Sequence, residues 1–188
     1  GEGGCLVTNS KKIAERVKLI RSHGRLDNSS YFDNPNQSSY QNYGYNWRMS
    51  SITAALGITQ LAKLDKLIKM RQKNAEYIIS RISKHPEITF QKIPDGYSHI
   101  YQMFSIRLPT KIIRDKLHQF LLKKQIFSKI YFEPIHLTDY YQNNFKNIGD
   151  LSTTILISDQ ILTLPMYPNM TSDEKQYLTE SIDEFFEL

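Results

Sequence analysis

Gly44-Tyr45-Asn46-Trp47-Arg48-Met49-Ser50, running on into Ser51-Ile52-Thr53-Ala54-Ala55-Leu56-Gly57, is the stretch from which the rest of the chain can be read. It sets an amide, a guanidinium, two aromatic rings and a hydroxyl just ahead of a helix start. Ser50 or Ser51 is a suitable N-cap, because a serine oxygen can accept from the free N–H groups of the first turn. Those same N–H groups favour anions. The physics of the segment leaves two readings open: contact with an anion, or an ordinary cap preceded by packing aromatics.

Downstream, Ile52, Leu56, Leu61, Leu64, Ile68, Ala75, Ile78 and Ile82 keep one helical stripe, which predicts a single helix over about 50–83. At 1.5 Å per residue it would span roughly 50 Å, more than one compact domain needs, so it is expected to bridge two domains. His85-Pro86 marks its end. Upstream, Cys5 to Thr8 reads as a strand entered through a glycine turn. Asn9 or Ser10 then caps a helix carrying Ile13, Val17 and Ile20, which stops at Gly24. Residues 25–43 turn sharply to Asn, Ser, Gln, Asp and Tyr around Pro35. They read as a polar loop whose aromatics, Tyr31 and Phe32 among them, favour contact with something.

Beyond residue 85 the pattern shortens. Ile88 to Phe90, Met103 to Leu108 and Phe127 to Phe132 read as strands, and Thr110 caps a helix with Ile113, Leu117, Phe120 and Leu121 inward. A helix is predicted over 150–161. A last one follows the capping box Thr171-x-x-Glu174, with Leu178, Ile182 and Phe186 inward. This is a small sheet covered by helices, an α+β arrangement.

Composition narrows the function classes. The 188 residues are 40% hydrophobic and 23% charged, enough apolar material for a core, so a wholly disordered chain is excluded. No apolar run approaches the roughly 18 residues of a membrane span. The net charge of +5 would attract a phosphorylated metabolite or a nucleic acid. The basic residues are interleaved with acids, as in Lys63-x-Asp65-Lys66, so a solvated helix surface is the better reading and no nucleic-acid partner is expected. Cys5 is the only cysteine, which fits a cytoplasmic protein. His23, His85, His99, His118 and His136 fall at no metal-ligand spacing, so no metal site is expected. There is no Walker loop, no nucleophile elbow and no G-x-G-x-x-G after a strand. Gly1-Glu2-Gly3-Gly4 reads better as a tight turn than as a phosphate nest.

Five blocks occur in order: GEGGCLVTN, RSHGR, GYNWRMSSITAALGITQLAKLD, IYFEPIHLTDYY and LPMYPNMTSDE. Together they resemble the C-terminal half of the DegT/DnrJ/EryC1/StrS family of pyridoxal-phosphate-dependent sugar aminotransferases. The resemblance implies an α/β fold, the C-terminal part of the type I PLP-dependent transferase fold. Residues 1–49 would be a remnant of the large cofactor-binding domain, 50–84 a long interdomain helix, and 85–188 a small α+β C-terminal domain. It implies pyridoxal 5'-phosphate as cofactor, a homodimer with shared active sites, and transfer of an amino group from glutamate to a nucleotide-linked keto-sugar in amino-sugar biosynthesis.

By the same resemblance, Asn46 matches the family asparagine that reaches across the dimer to the cofactor phosphate. Arg48 lies beside it, for the cofactor or for a substrate carboxylate or diphosphate. His136, in Pro-Ile-His, matches a histidine near the sugar site, and a plain loop histidine is the other reading. His23, in Ser-His-Gly, is a further candidate for substrate. The lysine that holds the cofactor belongs before Glu2, and no lysine here sits in a context to replace it. No catalytic residue is therefore expected within these 188 residues, and the chain by itself is expected to be inactive. Two alternatives stand beside the aminotransferase: a sugar dehydratase of the same family, and a non-catalytic module that dimerises or binds a nucleotide-sugar. An RNA-binding α+β domain is a third class, disfavoured because the strands show buried alternation rather than stacked exposed aromatics.

Overall fold

Ser10 closes the first turn of the chain's first helix by accepting from the Ile13 N–H, as its place ahead of an apolar stripe predicts. In the computed structural model, which describes residues 3–25, 40–145 and 149–187, that helix is α1, Lys11–Arg21. The chain divides into two compact units, Gly1–Lys63 and Leu64–Leu188.

In the first unit α1 ends on left-handed residues. His23 has φ 60° and Gly24 φ 75°, and the Gly24 N–H returns to the Leu19 carbonyl at 2.9 Å. The turn offers its backbone to residues 40–47. Tyr45 N–H donates to Ile20 O, Trp47 N–H to Arg21 O, and His23 N–H to Tyr45 O. Two glycines allow the crossing. A Cβ on Gly44 would stand 2.1 Å from Gly24 N, and one on Gly24 only 1.7 Å from Asn42 O. Ser50 then caps α2, Ser51–Leu61, by accepting from Thr53 N–H at 3.1 Å.

Three sequence expectations change in this unit. Among the described residues Cys5 to Thr8 joins no ladder and is not a strand, and Val7 is 89% exposed, since an extended segment becomes a strand only when a neighbour takes its hydrogen bonds. The predicted 50–83 helix is two helices. After Leu61 the backbone tightens, with Lys63 N–H bonding three residues back to Gln60 O, and α3 starts at Leu64. No glycine or proline marks the break, so periodicity alone runs through it. The apolar stripe is broken as well: α2 buries nothing, and Ile52, Leu56, Ile58 and Leu61 are all exposed. Most of the predicted polar loop, residues 26–39 with Tyr31 and Phe32, lies outside the described residues.

The second unit holds the main core. α3, Leu64–Ile82, buries Ala75, Ile78 and Ile82 on one face. A three-stranded antiparallel sheet follows in the order β1 (Thr89–Phe90), β2 (Phe104–Arg107), β3 (Ile161–Leu164). Phe104 pairs with Leu164 and Ile106 with Leu162, placing alternate side chains inward. α4 (Lys111–Lys123) covers the core with Leu117 and Leu121, and α7 (Ser172–Glu187) with Leu178 and Ile182. The Thr171 capping box forms as read: Thr171 N–H donates to Glu174 Oε2 and Glu174 N–H to Thr171 Oγ1.

Two local readings shift here. Phe127 to Phe132 makes only a single bridge, Lys129 with Thr163, because Phe127 and Phe132 face outward while Ser128 turns in to the His118 ring. The 150–161 helix is shorter, α6 at Ser152–Gln160. β3 begins on its next residue with no turn to announce it. Between them lie a 3-10 turn at Ile135–Leu137 and α5, Asp139–Asn144.

Candidate functional site

The crossing of residues 40–48 over the end of α1 brings three predicted residues together. Arg48 Nε donates to Asn46 Oδ1 at 3.3 Å, and Arg48 Nη2 lies 3.4 Å from His23 Nε2. A guanidinium only donates, so in this contact the His23 Nε2 is the acceptor. His23 and Arg48 stand 25 positions apart in sequence, and the left-handed turn at His23-Gly24 is what aims the imidazole at the guanidinium. Both bonds are long and exposed, so the guanidinium can exchange them for a ligand anion at little cost.

Arg48 also lines an open cleft of about 550 Å³ with Gly3, Gly4, Trp47, Met49, Ser50 and Thr53. The lining holds a cation, hydroxyls and the start of α2, and none of these residues is acidic. That donor set suits a phosphate or carboxylate. Beside the cleft Tyr45 lies flat on Trp47, ring centroids 4.0 Å apart and planes at 5°.

His136 belongs to the other unit, on the 3-10 turn. Its Nε2 is buried and has no hydrogen-bond partner among the described residues, an uncommon state for a buried ring nitrogen. Sequence reasoning reached these four residues but not the glycine crossing that assembles the first three. The only signal for it was a pair of glycines, Gly24 and Gly44, flanking the polar stretch. No helix among the described residues is long and apolar enough to cross a membrane, and none of them form a group of three or more His, Cys, Asp or Glu able to hold a metal ion.

The architecture is the mixed α/β arrangement of solved sugar aminotransferases. It superposes on Helicobacter pylori PseC, an aminotransferase of pseudoaminic acid biosynthesis, with a TM-score of 0.84 and 25% identity, over 96% of this chain and 47% of that one. Residues 1–183 match the DegT/DnrJ/EryC1/StrS aminotransferase family, and the chain belongs to it. Curated relatives include a pleiotropic regulatory protein of Geobacillus stearothermophilus, 28% identical over 99% of this chain and 48% of its own length. GDP-perosamine synthase of Escherichia coli O157:H7 is 27% identical, again over 99% of this chain and 48% of its own. The chain thus spans about half the length of the curated relatives it matches. Enzymes of this family depend on pyridoxal 5'-phosphate.

Proposed function

We propose that this chain is part of a pyridoxal-phosphate-dependent aminotransferase that moves an amino group from glutamate to a nucleotide-linked keto-sugar. The observation that carries the reading is the convergence of Asn46, Arg48 and His23 beside a cleft whose described lining residues include no acid. The donor set fits the cofactor's phosphate. When bound, the cofactor supplies an electron sink for exchanging the amino group.

The chain's own residues bind and orient. The Asn46 amide donates to the phosphate across the dimer. Arg48 holds a second anion, the carboxylate of glutamate or the diphosphate of the sugar nucleotide, as a planar two-pronged donor. His23 sets the guanidinium's direction and, when Arg48 swings to its ligand, offers a ring nitrogen to the substrate. His136 is a substrate residue, on the 3-10 turn Ile135–Leu137 of the second unit. A second copy of the chain is the partner. α2 carries no charged side chain and leaves Ile52, Leu56, Ile58 and Leu61 exposed, an apolar face that self-association would cover. A cytoplasmic place of action goes with a single cysteine, Cys5, that can form no internal disulfide.

The test uses the whole protein of which this sequence is part, with glutamate and a nucleotide-linked keto-sugar. One 2-oxoglutarate should form per amino-sugar. Asn46→Ala should weaken cofactor retention by roughly 1.5–3 kcal/mol, the value of a hydrogen bond to a charged group. Unchanged retention in Asn46→Ala, or no 2-oxoglutarate from any nucleotide-linked keto-sugar, refutes the reading.

A further inference from the structure

β2 and β3 pair antiparallel although α4, α5 and α6 lie between them in sequence, so no short turn fixes their register. Each end of the pair needs its own fastening. At the Arg107–Ile161 end, Arg107 Nε donates to Gln160 Oε1 at 2.6 Å and Leu108 N–H to Gln160 O at 2.9 Å. At the Phe104–Leu164 end two loops leave the sheet, residues 91–103 ahead of β2 and 165–171 behind β3.

One turn of α3 holds both loops. Gln72 Nε2 donates to Ser98 Oγ at 3.0 Å and to His99 O at 3.1 Å, contacts with the first loop. Buried Asn74 holds the second, its Nδ2 donating to Tyr167 O at 2.9 Å and to Pro168 O at 3.2 Å. The Asn74 Oδ1 accepts from Lys175 Nζ of α7. Arg71 reaches both loops with a single nitrogen. Its Nη1 donates to Tyr101 O and to Met166 O, each at 3.0 Å, with Gln102 O at 3.4 Å.

These acceptors are backbone carbonyls, which cannot swing away as side chains do. Either loop can leave only by giving up its part of a charge-assisted set. Once one loop has gone, water reaches the guanidinium, and its remaining bond to the other loop is worth less.

We infer that Arg71 is a tether that makes these two loops open and close as one unit, a conformational device at one end of the small sheet. Every contact of the tether lies inside the second unit, and it stands independent of the amino-transfer reading. Without it the loops depend on different residues, Gln72 for one and Asn74 for the other, and open separately.

Thermolysin acting on the whole native protein of which this sequence is part cuts segments that have transiently opened. Mass spectrometry then separates cleavage ahead of Met103, in the first loop, from cleavage ahead of Met170, in the second. Gln72→Ala removes bonds to the first loop alone, yet it should speed cleavage at both sites together, by roughly tenfold. Arg71→Met should speed both by roughly ten- to hundredfold. Adding Gln72→Ala to Arg71→Met should then speed only the cut at Met103, because the coupling is gone. Arg71→Lys keeps one cationic nitrogen with several donors and should restore part of the coupling.

The proposal is overturned if Gln72→Ala fails to speed the two sites together, a result that requires no Arg71 variant to fold. It is equally overturned if Arg71→Met leaves either site as resistant as in the parent. A Gln72 change that moves both sites as much without Arg71 as with it would also overturn it, since the coupling would then run through other residues.

Discussion

Gly44→Ala should dismantle the candidate site by adding one methyl group. The new Cβ would meet Gly24 N at 2.1 Å, the His23 carbonyl carbon at 2.7 Å and Gly24 Cα at 2.9 Å, all backbone atoms with no rotamer to move. Restoring ordinary contact near 3.4 Å requires the two segments to part by about 1.3 Å. That displacement strains the His23 N–H to Tyr45 O bond at 2.9 Å and the Tyr45 N–H to Ile20 O bond at 2.6 Å. Overpacking of this kind costs about 1–3 kcal/mol, and weakened backbone hydrogen bonds add about 1 kcal/mol. We expect a loss of roughly 2–4 kcal/mol in the first unit, together with the separation of His23 from Arg48. Urea unfolding followed by Trp47 emission reads that unit. Gly57→Ala is the matched control: its Cβ meets nothing within 4 Å and it lies inside α2, so it should stabilise by about 0.5–1 kcal/mol. If Gly44→Ala unfolds at the parent's urea midpoint, the two segments do not cross as described and the argument for the assembled site fails.

Other expectations concern the second unit. Asp183 receives Lys84 Nζ at 2.8 Å and lies 2.7 Å from His85 Nε2. Burial by itself would raise its carboxyl, but the hydrogen bonds and charges of Lys84 and His85 outweigh it and hold the group below its usual value. The resulting stability is present above the ordinary carboxylate pKa of about 3.9 and is lost as pH falls through the lowered folded value. Asp183→Asn should flatten that acid limb in melting curves taken from pH 6 to pH 2, and an unchanged limb would exclude the pair as its source. Ile106→Ala, at a fully buried position between Phe90 and Leu162, should cost about 2–5 kcal/mol by far-UV circular dichroism in urea. Thr171→Ala should cost about 0.5–2 kcal/mol in the same measurement, since it removes the cap oxygen that accepts from Glu174 N–H and the hydroxyl that donates to Glu174 Oε2.

How far the sequence could be read depends on the range of each interaction. Ser10, Ser50, Thr110 and the Thr171–Glu174 box are contacts within one turn, written in adjacent residues, and all four form as expected. The ordered blocks around Asn46 and His136 carried the family, because matching residue types at matching spacings need no knowledge of contacts. What periodicity could not register was a change with no local marker. The break after Leu61 has no proline or glycine, and β3 starts on the residue after α6. The same holds for Cys5 to Thr8, whose strand-like composition meets no neighbouring strand among the described residues.

The sequence by itself determined the helix caps, the inward faces of α3, α4 and α7, and the identity of the candidate residues, since these depend on side-chain chemistry at fixed local spacing. Only the tertiary structure decided that His23 meets Arg48, that Tyr45 stacks on Trp47 beside the cleft lined by Arg48 and Ser50, and that α2 keeps its apolar side exposed. The physical reason is steric and long-range. Two backbones can approach this closely only where Gly24 and Gly44 lack a Cβ, and which segments come together there is set by the path of the chain through space.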